Sequence, residues 1–574
     1  MRRKNVNRHN FYTIYYRSCL YNLLPLLLMI SIIIFTRHML LPIGLMALVE
    51  VIAFGITYFR LPSKNLLSII WGNLVYGIIY TVIIYFLLNF TKEERPLQKL
   101  IFKTASIAIG VLAIVSAGGF LHSFLSVKPT WNSINKVYSK SNEAPTFKRG
   151  ETPIALAPKT VINRVRKASS DIPHSQYYSI SNQVQAQFFK NKPVYVVPVE
   201  YSGFWQMTKA GSIPGYFIID ATRQNATPHF VKRPYRYATS AYFNKDAARQ
   251  IYRHSTSWLD LGSPQLEIDN AGKPYWVQTL YKSEFLSHRV NYKKLHVAVM
   301  NAQSGAVKIY SIKNMPKFID EGITTAIANK LNTDFGKYKY GFWNFSKTGV
   351  MKPTGNGVED GVTSVFNQNG TISYFTDFTT DKTGSDSALG YSMINARTGK
   401  LTFYRANNIM DSDGAKNNAN QDYKAQQWKA NMPILYNVNS RPTWVMTILD
   451  STSAIRGYYY LDAADQSVYG TGSTPTSALD AFRQALVSSG AKIGNTDKAT
   501  LKNVKGIVDR VTVVSNQNKV MFTLKNSKTI YTVNTSDYDF ANLMRPNDKV
   551  SFKANIVEKK SIGNVADFKD ENLR

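Results

Sequence analysis

The sequence predicts an α-helical membrane anchor of four transmembrane helices, followed by α+β repeats built of antiparallel meanders with helices, and then a small C-terminal β-barrel. Three observations carry that prediction. Apolar residues are concentrated in four runs within the first quarter of the chain, a strand-and-turn phrase recurs four times through the middle, and the C-terminal segment reads as five short strands. The corresponding boundaries are a basic tail at 1–18, a membrane section at 19–127, a linker at 128–159, the repeats at 160–490 and the barrel at 500–568. With 44% hydrophobic and only 18% charged residues, the composition excludes wholesale disorder. A single cysteine, Cys19, excludes an intrachain disulfide framework and any multi-cysteine metal site.

The four apolar runs are Cys19–Phe35, Met39–Phe59, Leu66–Phe90 and Thr104–Val127. Each approaches or exceeds the roughly 18–20 residues that a helix needs to cross a hydrocarbon core. Arg2, Arg3, Lys4, Arg8 and Arg17 precede the first run as in a signal peptide, but three more runs follow with no small-residue cleavage site between, so it reads as an uncleaved anchor. The Thr36–His38 gap is so short that the first two runs form a tight hairpin or one of them is re-entrant, and three spans is the alternative.

Orientation follows from Lys and Arg near the span ends. The tail, Arg60, Lys64, Lys128, Lys136 and Lys140 together hold twice as many as Arg37, Lys92, Arg95, Lys99 and Lys103 on the other side. That count places the N-terminus and the soluble region in the cytoplasm, with an extracytoplasmic placement left open by the modest margin. Glu50, near the middle of the second run, carries a cost of roughly 2.5–3.5 kcal/mol at that depth. It reads either as a relay group acting with His122 or Asn73, or as a protonated carboxyl hydrogen-bonded within the bundle, which is the plainer expectation. A lone carboxyl is too little for a transporter.

Lys and Arg number 69 against 37 Asp and Glu, a net charge of +32, and most of the excess lies beyond the membrane section. No long run of like charge occurs, so the soluble part presents a distributed basic surface. Pro129, Pro145, Pro153 and Pro158 among polar residues mark the linker.

The recurring phrase is Gly215-Tyr-Phe-Ile-Ile-Asp-Ala-Thr222, then His296-Val-Ala-Val-Met-Asn-Ala-Gln-Ser-Gly305, Gly390-Tyr-Ser-Met-Ile-Asn-Ala-Arg-Thr-Gly399 and Gly457-Tyr-Tyr-Tyr-Leu-Asp-Ala-Ala464. Each is a strand that ends in Asp or Asn, then Ala, then a turn, for which Asn, Asp and Gly are suited. Lys192-Pro-Val-Tyr-Val-Val197, Lys273-Pro-Tyr-Trp-Val277, Asn369-Gly-Thr-Ile-Ser-Tyr374 and Arg441-Pro-Thr-Trp-Val445 precede the copies as a second strand. Helical patterns at Ser240–His254, Pro316–Leu331 and Thr474–Ser489 interleave with them, the last opened by Thr474 as N-cap and Pro475 as the first helical residue. Tyr195, Trp276, Tyr374 and Trp444 occupy matching strand positions and read as repeated core residues. Phe204 and Trp205, in a polar stretch, are the better candidates for an exposed partner contact.

A helix, a strand, a strand ending in Asp-Ala-x-Thr-Gly and a further strand resemble the PepSY type of repeat of bacterial envelope and peptidase-associated proteins. Val-Glu-Tyr-Ser-Gly-Phe-Trp (199–205), Ile-Pro-Gly-Tyr (213–216), Ser-Ala-Tyr-Phe-Asn (240–244) and Gly-Lys-Pro-Tyr-Trp (272–276) also resemble a family of uncharacterised Gram-positive multi-pass membrane proteins. The resemblance covers about half of the chain, across Pro193–Ala485. It implies an envelope setting and inhibitory or ligand-binding modules, and it carries no firm activity to transfer.

Asn503–Val514, Lys519–Leu524, Thr529–Asn534, Lys549–Asn555 and Val557–Phe568 read as strands, with a short helical piece at Tyr538–Met544, and resemble an OB-type barrel. Such a fold binds nucleic acid through a positive groove with aromatic platforms. Lys505, Arg510, Lys519 and Lys553 are the candidate polyanion contacts, while the few aromatics are claimed by the core.

Signatures of catalysis are missing: no His-Glu-x-x-His pair, no Gly-x-Ser-x-Gly elbow and no phosphate loop occur. Met410-Asp-Ser-Asp-Gly414 reads as a surface turn, not a calcium loop. The expectation is therefore a protein with no catalytic, cofactor-binding or metal residues. Its expected partners are membrane lipids and an anionic polymer or envelope protein, with nucleic acid or polysaccharide at the barrel as the alternative.

Overall fold

The computed structural model describes residues 15–36, 40–90, 95–139, 156–255, 259–260, 262–355, 361–381, 386–406, 408–438, 441–489, 499–514, 519–535, 538–557 and 562–573. The basic tail up to residue 14, the gap at 37–39 and the linker residues 140–155 lie outside the described residues.

The membrane section holds α1 (Tyr15–Tyr21), α2 (Leu23–Thr36), α3 (Leu40–Arg60), α4 (Leu66–Phe90) and α5 (Arg95–Leu125). Helices α3, α4 and α5 each contain a stretch long and apolar enough to cross a membrane, while α1 and α2 add a fourth candidate only as a pair bent by 71°. The first apolar run, expected as one span, is thus broken, and Pro25 supplies the reason. Proline has no N–H for the Tyr21 carbonyl four residues back, and its ring crowds that carbonyl.

Groups freed at the break find side chains, as they must where no water is present. Leu24 N donates to Asn73 Oδ1 at 2.8 Å, Asn73 Nδ2 donates to the Leu20 carbonyl at 2.8 Å, and Asn22 Nδ2 donates to Glu50 Oε2 at 2.7 Å. With 14 residues, α2 alone rises ~21 Å, short of a hydrocarbon core of roughly 30 Å. Gly72, Gly77 and Gly119 lie against Tyr21, Leu24 and Leu67, where a larger residue would hold the helices apart.

Helix α6 (Val127–Ser133) leads from the bundle into the body, and within the stretch read as linker Lys136–Tyr138 forms an edge strand parallel to Leu401–Arg405. Beyond come α7 (Pro158–Lys167), α8 (Phe204–Ala210), α9 (Ala247–His254), α10 (Thr325–Lys337), α11 (Ser412–Asp422) and α12 (Pro475–Ser488). Helices α7, α9, α10 and α11 each precede an antiparallel meander, so the body is four α+β units.

Their central strand pairs are Lys192–Tyr201 with Ile213–Asp220, Pro274–Ser283 with Val290–Asn301, Ile372–Thr380 with Ala388–Asn395, and Arg441–Leu449 with Ile455–Asp462. The register is common to all four: Tyr195 faces Ile219, Trp276 faces Met300, Tyr374 faces Ile394 and Trp444 faces Leu461.

The repeated phrase has a local cause. Asp220, Asn301, Asn395 and Asp462 each accept a backbone N–H from two residues on, at 2.8–3.2 Å, which fixes the turn. The buried alanine that follows (221, 302, 396, 463) donates its N–H to the carbonyl of Pro193, Pro274, Ile372 or Pro442. Its own carbonyl accepts from Leu156, Tyr237, Ile323 or Met410, in the segment ahead of each unit's helix. Trp276 Nε1, Tyr374 Oη and Trp444 Nε1 then donate to the carbonyls of Tyr237, Ile323 and Met410 at 2.7–3.0 Å, tying each helix segment to its sheet.

Two helices start later than their patterns predict, at Ala247 and Thr325 instead of Ser240 and Pro316. Buried carboxylates capture the preceding backbone: Ser240 N donates to Glu200 at 3.0 Å, and Asp320 N and Glu321 N donate to Glu267 at 2.8 and 3.1 Å. At α12 the expected cap is present, with Ser477 N donating to Thr474 Oγ1 at 3.1 Å.

Ala499–Val514, Lys519–Leu524, Ile530–Asn534, Lys549–Val557 and Ile562–Asp570 close into a barrel. Its first strand pairs with the second and the fourth, and its third runs parallel to the fifth. Val508, Phe522, Tyr531, Phe552 and Phe568 fill it. Helix α12 packs on both the fourth sheet and the barrel.

Candidate functional site

The body is clamped to the bundle by polar contacts at the ends of the membrane helices. Between α3 and α4, Lys64 Nζ donates to the carbonyls of Tyr252 and Ser255 at 2.6 and 2.9 Å, with the Tyr252 ring 3.7 Å below it. Asn65 Nδ2 meets His288 Nδ1 at 2.8 Å, and burial pushes the His288 imidazole below its ordinary pKa, which favours the neutral ring as acceptor. Arg249 Nε donates to the Tyr58 carbonyl at 2.9 Å, and Arg289 Nε donates to the Ser123 carbonyl at the end of α5. Arg17, in α1, also lies over the Tyr252 ring. The first helix and the body therefore sit at the same end of the bundle.

Around this end the surface is aromatic and basic. Helix α10 stops at Lys337, and the chain continues through Tyr338-Lys-Tyr-Gly-Phe-Trp-Asn-Phe-Ser-Lys347, turning at Gly341 with φ +79°. Phe342 packs on Phe124 of α5 at 4.8 Å between ring centres, which brings the loop to the end of the span. Trp343 and Phe345 are 70% and 73% exposed, and Phe285, against the His122 ring, is 74% exposed.

A groove of about 630 Å³ runs between this loop and α5, lined among others by Phe124, Arg289, Lys337, Phe345 and Lys352. Lys347 also lines it, but donates to Asp381 at 2.8 Å; that bond raises the lysine pKa and lowers the carboxylate's. Aromatic and cationic side chains beside a span end are the composition that sits at a bilayer headgroup layer.

The sequence-predicted residues fall in three places. Trp205, on α8, is 71% exposed, and Phe204 packs edge-on against Trp205, Tyr242 and Phe243 at 5.1–5.9 Å. The next residue, Asn244, accepts from the Tyr58 hydroxyl near the end of α3 at 3.2 Å, so this pair lies at the same end of the bundle. Glu50 accepts from Asn22, Ser18 and Cys19, at the α1–α2 bend, whereas His122 contacts Phe285. The structure does not bring those two groups together.

On the barrel, Lys505, Arg510 and Lys519 are exposed and Lys553 pairs with Asp567 at 2.7 Å. Four of its aromatics are buried in its core. Asp411, of the calcium-like turn, caps α11 by accepting from Gly414 N at 2.9 Å.

The loop at 338–347 escapes sequence reasoning because it has neither period nor motif. Its one signal is five aromatics in eight residues set between lysines.

No protein-family profile and no curated protein matches the chain. Among solved structures, the crystal structure of the polysaccharide lyase Uly1 aligns over 76% of this chain and 90% of that one, at 11% identity and a TM-score of 0.16. At that score no argument about fold or activity follows.

Proposed function

We propose that this is a non-catalytic multi-pass membrane protein whose basic body works at the bilayer surface, binding or regulating an envelope or membrane-associated partner, with anionic lipid as its nearest polyanion. The observation that carries this reading is the groove beside α5, where Arg289, Lys337 and Lys352 stand among exposed aromatics at the end of a span. The helix-then-meander order of the four units supports the PepSY resemblance and with it a bacterial cell-envelope setting. The Lys and Arg count supports a cytoplasmic body.

The test is reconstitution of the full-length protein into nanodiscs of phosphatidylcholine, with or without phosphatidylglycerol, using brominated lipid as quencher and Trp343→Phe to isolate that residue's emission. Quenching of Trp343, stronger with the anionic lipid, is the expected outcome. An unquenched Trp343, indifferent to lipid charge, would remove the reading. Placement is tested by a Ser473→Cys variant in a Cys19→Ala background, where labelling of intact cells by an impermeant thiol reagent would put the body outside.

The alternative is a membrane-tethered nucleic-acid or polysaccharide binder acting through an OB-like barrel. The parallel pairing of third and fifth strands supports that likeness, and Lys505, Arg510 and Lys519 supply charge. The burial of Phe522, Tyr531, Phe552 and Phe568 favours the lipid reading, because stacking platforms must be exposed.

A further inference from the structure

Three of the four repeats satisfy the polar atom of their core aromatic on a carbonyl ahead of the unit's helix, and the first does not. Tyr195 is 2% exposed and its hydroxyl has no hydrogen-bond partner. It lines a cavity of about 100 Å³ where the first, third and fourth units meet, together with Lys159, Glu321, Thr325, Ser364 and Asn431. That volume is several times the roughly 10–15 Å³ needed to hold one water. An unpartnered buried hydroxyl is destabilising, and the cavity beside it leaves room for an occupant that supplies its partner.

The cavity wall carries one carboxyl, Glu321. Glu321 is buried and accepts from Gln185 Nε2 and from Ser364 Oγ. Beside it, the Glu267 carboxylate accepts the backbone N–H groups of Asp320 and Glu321. Burial above all, and then the neighbouring Glu267, hold the Glu321 carboxyl well above the usual carboxylate range. Among the described residues no Lys or Arg forms an ion pair with Glu267, Asp320 or Glu321. Arg397, whose charge reaches Glu267 and Asp320, donates instead to the carbonyls of Met315, Pro316 and Ile319. The buried Glu321 carboxyl, which forms no ion pair among the described residues and faces a void with an unpartnered hydroxyl, matches a ligand that brings its own positive charge.

We infer that this cavity binds a small molecule bearing a primary ammonium, of the size of a short amino acid, with the ammonium on the Glu321 carboxylate and the Tyr195 hydroxyl oxygen and its anionic end toward Lys159 at the rim.

Calorimetric titration of the full-length protein in detergent micelles with glycine, methylammonium and acetate tests this. Glycine and methylammonium bind and acetate does not. Glu321→Gln weakens both by about tenfold or more, as loss of a charge-assisted hydrogen bond does. Lys159→Ala weakens glycine but leaves methylammonium unchanged.

Tyr195→Phe guards against a folding artefact, since it removes one unpartnered oxygen. It keeps or raises the melting temperature without ligand, yet weakens glycine severalfold, a split that a purely structural tyrosine would not show. A folded wild type that takes up none of the three probes at millimolar concentration overturns the inference and leaves the cavity to water. Equal affinities in wild type, Glu321→Gln and Tyr195→Phe overturn it as well.

Discussion

The rim at the span ends and the terminal barrel are both basic, and they use their aromatic residues in opposite ways. At the rim, Trp205, Phe285, Trp343 and Phe345 lie in the open, Phe345 in the groove that Arg289, Lys337 and Lys352 also line. In the barrel, Phe522, Tyr531, Phe552 and Phe568 pack on one another, and Phe540 is the exposed aromatic among the described residues. Lysines alone make a solvated face. Large rings exposed next to a span end are unfavourable in water and favourable at a headgroup layer, which is why the proposed lipid contact is placed at the rim and not at the barrel.

The largest effect separates the two uses of a ring. Phe522→Ala empties the centre of the barrel and is expected to cost about 3–5 kcal/mol. Trp343→Ala removes an exposed ring and is expected to change stability by no more than about 0.5 kcal/mol. Urea unfolding of the full-length protein in micelles, with hydrogen exchange reporting the barrel amides, compares them directly. Equal costs would make the rim aromatics packing residues and dissolve the contrast.

Charge sharpens it next. Lys337→Ala with Lys352→Ala is expected to remove about 2 kcal/mol of preference for anionic over zwitterionic nanodiscs, at ~1 kcal/mol per cation near the surface. The triple change of Lys505, Arg510 and Lys519 to Ala is expected to leave that preference unaltered. Oligonucleotide binding with a steep salt dependence, lost in the triple variant, would instead turn the comparison toward the barrel.

The basic exterior also contrasts with the acidic interior of the repeats. Burial and Asp320 push the Glu267 carboxyl to about 8 from 4.5. Between those values the folded state holds a proton that the unfolded chain has released, so stability falls as pH rises through that window. The expected loss is about 1 kcal/mol between pH 6 and 7, read as a falling melting temperature, with a flatter profile for Glu267→Gln. A melting temperature that rises over the same interval would mean an ionised, partnered carboxylate.

What is legible in the sequence follows the range of the interactions involved. The Asp-Ala and Asn-Ala phrases show in the sequence because Asp220, Asn301, Asn395 and Asp462 bond within two residues of themselves. The matching positions of Tyr195, Trp276, Tyr374 and Trp444 show because the strand phrase that carries them recurs ahead of each turn. The rim is not legible, because exposure of Trp343 is decided by Phe342 packing on Phe124, more than two hundred residues away in the chain. Nor do the patterns at Ser240 and Pro316 reveal that Glu200 and Glu267 will capture the backbone there. The bend at Asn22 stands between: Pro25 announces it, but the apolar length of the run outweighs a single proline in a hydropathy count.

The smallest effect is expected at that bend. Glu50 accepts from Asn22, Ser18 and Cys19, all of them neutral donors, and no cation stands among these partners. A glutamine carbonyl can take over one or two of those bonds. Interhelical hydrogen bonds in bilayers average only ~0.6 kcal/mol, so Glu50→Gln is expected to cost less than about 1 kcal/mol and to leave the rate at which a thiol reagent labels Cys19 unchanged. Glu50→Leu, which removes every acceptor while Asn22 and Ser18 remain in hydrocarbon, is expected to cost more and to speed the labelling of Cys19. A glutamine variant as damaged as the leucine one would show that the charge, and not the hydrogen-bond acceptor, holds α1 against α3. The bundle would then rest on a buried charge, in contrast to the protonated Glu267 carboxyl in the interior of the repeats.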